Sequence, residues 1–253
     1  MLELTANQWN TIYNVFSFGL ISMLACTVYT LVSQSRVLPK YRNALVLSSM
    51  DTFIAGYHYW RFFNSFSESS EGYMVATTGA GSFNEGYRYV DWLLTVPLLL
   101  VEVIAVLALT KAVSSSLITR LVPASAAMIA LGYPGEISAD DGTKILWGVL
   151  STIPFLYILY VLFVELGKSL DRQPAGVAAT VGRLRLLLIA TWGVYPIAYL
   201  LPILGQDALD PAAFVNRQIG YTIADVLAKC VFGLTILKIA RMKSVAEGMK
   251  EDH

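Results

Sequence analysis

Lys229 lies inside the apolar run 219–239, in the local order Ala224-Asp225-Val226-Leu227-Ala228-Lys229-Cys230. A lysine in the middle of a membrane-spanning helix costs about 3 kcal/mol on insertion scales, so the position demands a chemical reason. Asp225 stands four residues earlier, on the same helical face and about one turn away. An amine buried beside its own carboxylate can form a plain ion pair that locks helices together. It can also carry an imine whose positive charge the carboxylate balances. Ionisable residues inside membrane segments are functional by default, which favours the second.

A second set of chemical groups lies upstream, in Arg88-Tyr89-Val90-Asp91-Trp92-Leu93-Leu94-Thr95-Val96-Pro97 and on to Glu102. At about 100° per residue, Asp91 and Thr95 differ by about 40° and Asp91 and Glu102 by only about 20°. Arg88 falls on nearly the same face one turn further out, so one stripe holds an arginine, an aspartate, a threonine and a glutamate. The flanks are leucine, valine and tryptophan, so the stripe is expected to face a bundle interior rather than water. Its two carboxyls are about 16 Å apart along the axis. Acids on opposite sides of one protonated nitrogen are what vectorial proton transfer needs: an ionised outer acceptor and an inner donor kept neutral by apolar surroundings. Pro97 interrupts the helix between them, which membrane helices tolerate when neighbours satisfy the freed carbonyl.

The elements that must position these groups follow from composition. The chain has 253 residues, 56% of them hydrophobic and only 14% charged, against about 25% charged in soluble domains. Mean hydropathy is +0.58. Net charge is formally zero, and nothing points to nucleic acid. Cys26 and Cys230 both lie in apolar segments and define no disulfide framework. No group suggests a metal site, and Met1-Leu2-Glu3-Leu4 lacks the basic region of a cleavable signal peptide.

Seven segments are long enough to cross a bilayer, at about 8–33, 41–65, 83–109, 116–134, 141–170, 178–203 and 213–243. The expected fold is a single all-α domain, a seven-transmembrane helix bundle. The stretch 68–81 is rich in Ser, Gly and Thr and suits a small hairpin, while Tyr133-Pro134-Gly135 and Arg172-Gln173-Pro174 are expected to end helices. One set of loops carries Arg36, Lys40, Arg42, Lys111, Arg120, Lys168, Arg172, Arg183 and Arg185, and the tail adds Lys243 and Lys250. The opposite loops carry Glu68, Glu71, Glu136, Asp140, Asp141, Asp207 and Asp210. Because cytoplasmic loops collect lysine and arginine, the C-terminus is expected in the cytoplasm and the N-terminus outside.

These residues together identify a family. The segment 88–97 and the pair Asp225 and Lys229 resemble the microbial (type 1) rhodopsins across all seven helices, with Ile54-Ala55-Gly56-Tyr57-His58-Tyr59, Gly132-Tyr133-Pro134-Gly135-Glu136, Ile158-Leu159-Tyr160-Val161-Leu162 and Trp192-Gly193-Val194-Tyr195-Pro196 as further matching stretches. The likeness is greatest to the branch of proteorhodopsin, xanthorhodopsin and Gloeobacter rhodopsin. It implies all-trans retinal bound to Lys229 as a protonated Schiff base, Asp91 as primary counterion and proton acceptor, and Asp225 as second counterion. Thr95 and Glu102 complete the Asp-Thr-Glu signature of outward proton pumps, with Glu102 as cytoplasmic donor; chloride and sodium pumps carry other residues there. Arg88 matches the arginine that senses the counterion from the extracellular side. Trp92, Trp192 and Tyr195 match the aromatic walls around the polyene, with Tyr199, Met128, Gly132 and Ser151 as further lining. Leu99 occupies a colour-tuning position, where leucine suggests green absorption.

Three residues carry open readings. A solitary histidine on a membrane helix is often simple hydrogen-bonded packing, but the setting of His58 resembles the histidine that partners the counterion, where it would couple to the titration of Asp91. Gly148 stands near where bacteriorhodopsin-like pumps have a bulky tryptophan, so it either opens a window for a carotenoid antenna, as in xanthorhodopsin-like members, or merely permits close helix packing. Asp51 departs from the family pattern. It precedes His58 by two turns on the same face, about 10 Å toward the cytoplasm, and either shares a proton with Glu102 in the uptake path or reaches water at the lipid interface.

The expected activity is a light-driven outward proton pump rather than an enzyme, a homo-oligomer (trimer or pentamer) in a bacterial plasma membrane. Two rivals are a sensory photoreceptor signalling to a transducer and a retinal-free transporter using Lys229 and Asp225 as a relay.

Overall fold

The computed structural model describes residues 1–205 and 210–250; Asp207, counted above among the acidic loop residues, lies outside them. Helix α1 spans Ala6–Val32, α2 Pro39–Glu68, α3 Gly86–Leu107 and α4 Lys111–Glu136. Helix α5 runs over Asp141–Tyr160, passes through a π turn at Val161–Glu165 and ends at Leu166–Leu170. Helix α6 covers Ala175–Trp192 and resumes after Gly193 as Val194–Ile203. Helix α7 covers Pro211–Asp225, a second π turn at Val226–Val231, and Phe232–Ala246. The outcome is the expected seven-helix membrane bundle.

Local chemistry sets the helix starts. Thr5 and Gln8 form a capping box on α1, the Asp140 carboxylate accepts from Thr143 N at 2.7 Å to start α5, and the Asp210 carboxylate accepts from Ala213 N at 3.0 Å just before Pro211 starts α7. Helix α3 stops at Ala108, whose φ of 48° is left-handed. The stretch 68–81 does form a hairpin, with strands β2 (Ser70–Glu71) and β3 (Met74–Val75), and β1 (Leu2–Glu3) adds to the other edge of β3. Helix α4 does not end before Pro134 but carries it inside its last turn, so Glu136 belongs to the helix rather than to a loop.

Apolar side chains face outward as well as inward, and several ionisable groups are enclosed in the interior. Phe18, Ile21, Val28, Phe53, Val149 and Leu156 are exposed, while Asp51, His58, Arg88, Asp91, Glu102, Gln218, Asp225 and Lys229 are buried. Among the described residues five of the seven helices are long and apolar enough to cross a membrane by composition alone. The exceptions, α2 and α7, are the helices that carry Asp51 and His58, and Gln218, Asp225 and Lys229, into the interior. Buried polar groups hold the bundle together from within, and the lipid side needs only apolar cover.

The basic end is closed by a clasp between α2 and α7. Ser244 Oγ accepts from Leu38 N at 2.9 Å, Tyr41 donates to Glu247 at 2.6 Å, and Lys40 forms an ion pair with Glu247. Lys243 Nζ donates at 2.5 Å to Leu107 O, a carbonyl freed where α3 ends. Lys40 first and Tyr41 second hold the Glu247 carboxyl below the usual glutamate range. A carboxyl whose value is depressed by folding adds stability above its unfolded value, about 4.3, and loses it as pH falls through the lower folded value. The thermal midpoint of wild type in detergent should therefore exceed that of Glu247→Gln at pH 7, and the gap should close on acidification below about pH 4. A gap that persists at pH 3 would place the effect elsewhere.

Candidate functional site

Lys229 sits in the π turn of α7. Such one-residue insertions recur at functional sites because they rotate side chains out of the regular helical register. The amine lies between two carboxylates, with Nζ 3.1 Å from Asp91 Oδ2 and 3.0 Å from Asp225 Oδ1. All three side chains are at most 2% exposed. The pair one turn apart on α7 and the aspartate on α3 are thus one charge cluster.

Asp225 is the more heavily solvated of the two by protein groups. Tyr195 donates to Oδ1 at 2.6 Å, Trp92 Nε1 to Oδ1 at 3.3 Å, and Tyr59 to Oδ2 at 2.8 Å. Arg88 Nη1 is 3.8 Å away, so the arginine sits beside Asp225 rather than Asp91. Its guanidinium donates to Gln218 at 2.5 Å and is flanked by the rings of Phe62 and Tyr221 at 4.6 and 4.7 Å. Gln218 continues outward to Glu85 at 2.7 Å, which also pairs with Arg217 at 3.1 Å.

Asp91 has fewer partners. Beyond Lys229, its closest ionisable neighbour is His58, with Nδ1 3.6 Å from Oδ1. That is too long for a hydrogen bond, and the same nitrogen is 2.9 Å from Ile54 O. The imidazole is thus buried beside the carboxylate and oriented by its own helix. Thr95 lies on the same face but donates to the backbone carbonyl of Asp91 at 2.9 Å, not to the carboxylate. Glu102 is fully buried on the opposite side, and neither of its oxygens has a hydrogen-bond partner among the described residues.

A cavity of about 280 Å³ begins at Lys229 and extends toward α5. Trp92, Trp192 and Tyr195 line it, as do Met128, Gly132, Ser151, Gly148, Tyr199 and Leu99. All the residues expected around a polyene therefore meet in one space. Ser151 donates to Met128 O at 2.7 Å, tying α5 to α4 along this wall. Close packing occurs at Gly135 rather than Gly132: a Cβ on Gly135 would collide with the Tyr199 hydroxyl and come within 3.1 Å of Trp147, whereas one on Gly132 would make ordinary contacts. Gly148 faces the Tyr199 ring, 3.0 Å from where its Cβ would stand. Its neighbours Ile145 and Val149 line the cavity and are also exposed on the outer surface, so the space reaches the lipid side there.

Residues 10–242 match the model of the family described as bacteriorhodopsin-like protein. The chain belongs to that family. It is a microbial rhodopsin and a multi-pass membrane protein. It is similar to the green-light absorbing proteorhodopsin of a gamma-proteobacterium, 30% identical over 237 residues that cover 92% of this chain and 88% of that one. The bacteriorhodopsin of Halobacterium salinarum is 32% identical over 160 residues, 63% of this chain and 58% of its own. Among solved structures, xanthorhodopsin, a light-driven ion pump with dual chromophore, superposes with a TM-score of 0.92 at 46% identity, covering 99% of this chain and 100% of that one. A thermophilic rhodopsin gives 0.92 at 44% identity, covering 98% and 100%.

The sequence reasoning missed Tyr59, Gln218, Tyr221, Glu85 and the cavity contact of Glu136. Gln218 and Tyr221 precede Asp225 by seven and four residues, so the helical period that linked Asp225 to Lys229 also pointed to them. Tyr59 gave no such signal, since an aromatic in a helix is usually packing. Removing one donor from a buried carboxylate costs about 1.5–3 kcal/mol. Tyr59→Phe and Tyr195→Phe should each lower the thermal midpoint by several degrees, and the double variant should deviate from the sum because both serve Asp225. Additive losses measured by thermal unfolding would show that the two hydroxyls act independently.

Proposed function

We propose that this rhodopsin is a light-driven outward proton pump that binds all-trans retinal at Lys229. The observation that carries this reading is the buried amine of Lys229 at one end of an aromatic-walled cavity, with Asp91 and Asp225 about 3 Å away and Glu102 buried on the other side. The residues fit the group. The cavity is mainly apolar, Trp92 and Trp192 can clamp a flat conjugated chain, and the amine at its end can form the covalent link. Bound there as a protonated Schiff base, retinal would supply light absorption and the isomerisation that changes which side the nitrogen faces.

The protein's own groups do the rest. Asp91 accepts the proton from Lys229 Nζ across 3.1 Å, favoured over Asp225 because it has fewer competing donors. Asp225, held by two tyrosines, a tryptophan and the nearby Arg88, stays as the fixed negative charge. His58 beside Asp91 adjusts how firmly that carboxyl keeps its proton. Glu102 holds a proton in a dry interior and returns it to the nitrogen from the basic end. Asp91 toward the acidic end and Glu102 toward the basic end together define outward transport. Retention of both acids disfavours a sensory role, for which rapid reprotonation is unnecessary.

The missing side chain at Gly148, with the cavity open to the lipid side beside Ile145 and Val149, supports an accessory carotenoid lying against Tyr199. Xanthorhodopsin's dual chromophore gives the same indication. Gly148→Trp should then abolish carotenoid-sensitised transport while leaving transport excited through retinal intact.

Cells making the protein with retinal should acidify their medium in light, and a protonophore should abolish the signal. Lys229→Ala should form no coloured pigment, and borohydride should trap retinal on position 229 of the wild type. Asp91→Asn should stop transport. Absence of light-driven pH change, with a photocycle lasting seconds, would favour the sensory reading instead.

A further inference from the structure

Among the described residues, Asp51 is the one buried carboxyl that the mechanism above does not use. It sits on α2, 1% exposed, and both its oxygens lack a hydrogen-bond partner among the described residues. This excludes the lipid-interface reading, in which the side chain reaches water. Of the neighbouring hydroxyls on α2, Thr52 pairs with Thr27 at 2.8 Å and Ser49 with Thr30 at 2.9 Å, while Ser48 has no partner among the described residues. Asp51 therefore ties no helices together, and an apolar residue would pack in its place at no polar cost. A bare carboxylate without a partner would be prohibitively expensive in such a site, so the group is held as the neutral acid.

Its height in the bundle is informative. His58 contacts Asp91, so these two residues mark one level. From there Asp51 lies seven residues inward along α2, about 10 Å, and Glu102 eleven residues inward along α3, about 16 Å. By this reckoning Asp51 stands at a level between the Lys229 cluster and Glu102. Cys26 on α1 is the other titratable side chain facing both carboxyls, and Cys230 on α7 also faces Asp51. Direct transfer between side chains requires hydrogen-bond reach or one bridging water. A rise of about 16 Å between the two levels exceeds that reach several times over; Asp51 cuts the longest step to about 10 Å of backbone rise, which side chains extending toward each other and bridging water have to cover.

We propose that Asp51 is an internal proton station between Glu102 and Lys229 Nζ. After Nζ has given its proton to Asp91, the Asp51 carboxyl donates its own proton to Nζ and becomes a carboxylate. Glu102 then protonates that carboxylate, and Glu102 is refilled from the basic end. One proton moves one station per step, and no other reactant is needed. The inference rests on the pump reading and adds a carrier to its uptake half.

The test is time-resolved absorption with infrared difference spectroscopy on the purified retinal-bound protein. In Asp51→Asn, loss of the nitrogen's proton to Asp91 should keep its wild-type rate, while its return should slow by about 10- to 100-fold. Asp51→Glu should restore most of that rate. In Glu102→Gln, a carboxylic-acid carbonyl band should still vanish and reappear during reprotonation of Nζ, and the added Asp51→Asn change should remove it. The Glu102→Gln measurement leaves Asp51 intact, so it reads the station even if Asp51→Asn does not fold. Asp51→Leu in the retinal-free protein should leave the thermal midpoint unchanged or raised, because the carboxyl bonds to nothing. An unchanged return rate in Asp51→Asn, or no carbonyl change in Glu102→Gln, overturns the proposal. A cell that still acidifies its medium alongside that result removes this inference alone; loss of acidification in wild type removes the pump reading.

Discussion

Everything in this bundle is arranged around one ammonium-type nitrogen and two carboxylates shut away from water. Each ion left its hydration shell at an effective cost of several kcal/mol, which mutual attraction offsets only when geometry is good and spare lone pairs are filled. Asp91, Asp225, Lys229 and Arg88 together carry no net charge, and all four are buried. Tyr59, Tyr195 and Trp92 complete the shell of Asp225, and Gln218 anchors the arginine. The donors come from α2, α3, α6 and α7, so the site cannot exist before those helices have met.

The two halves of the molecule differ in how their polar groups are connected. Toward the acidic end, Arg88, Gln218, Glu85 and Arg217 form a continuous polar line to the surface. Toward the basic end, the carboxyls of Glu102 and Asp51 have no hydrogen-bond partner among the described residues, and the clasp between α2 and α7 closes the mouth. A polar line spreads charge readily, whereas isolated acids hold protons until a better acceptor approaches.

One of the two π turns falls at the charge cluster. The π turn at Val226–Val231 holds Lys229, and the one at Val161–Glu165 leaves a carbonyl, Leu162 O, that Arg185 fills at 2.9 Å. Gly135 and Gly148 let Tyr199 lie against α4 and α5, which shapes the cavity's far wall.

Much of this was legible in the chain. Helical period alone placed Asp225 under Lys229 and aligned Arg88, Asp91, Thr95 and Glu102, because residues on one helix share a known rotation per step. Apolar length and the lysine–arginine bias supplied seven segments and an expected orientation. What period cannot supply is the rotation and depth of one helix against another. Only the packed bundle could turn Arg88 toward Asp225 and Gln218, direct Thr95 to a backbone carbonyl, set His58 3.6 Å from Asp91, and shut Asp51 away from water. Local order determined which groups were present and on which face; contacts between distant helices decided which atoms meet, since a hydrogen bond is lost within a displacement of about 1 Å.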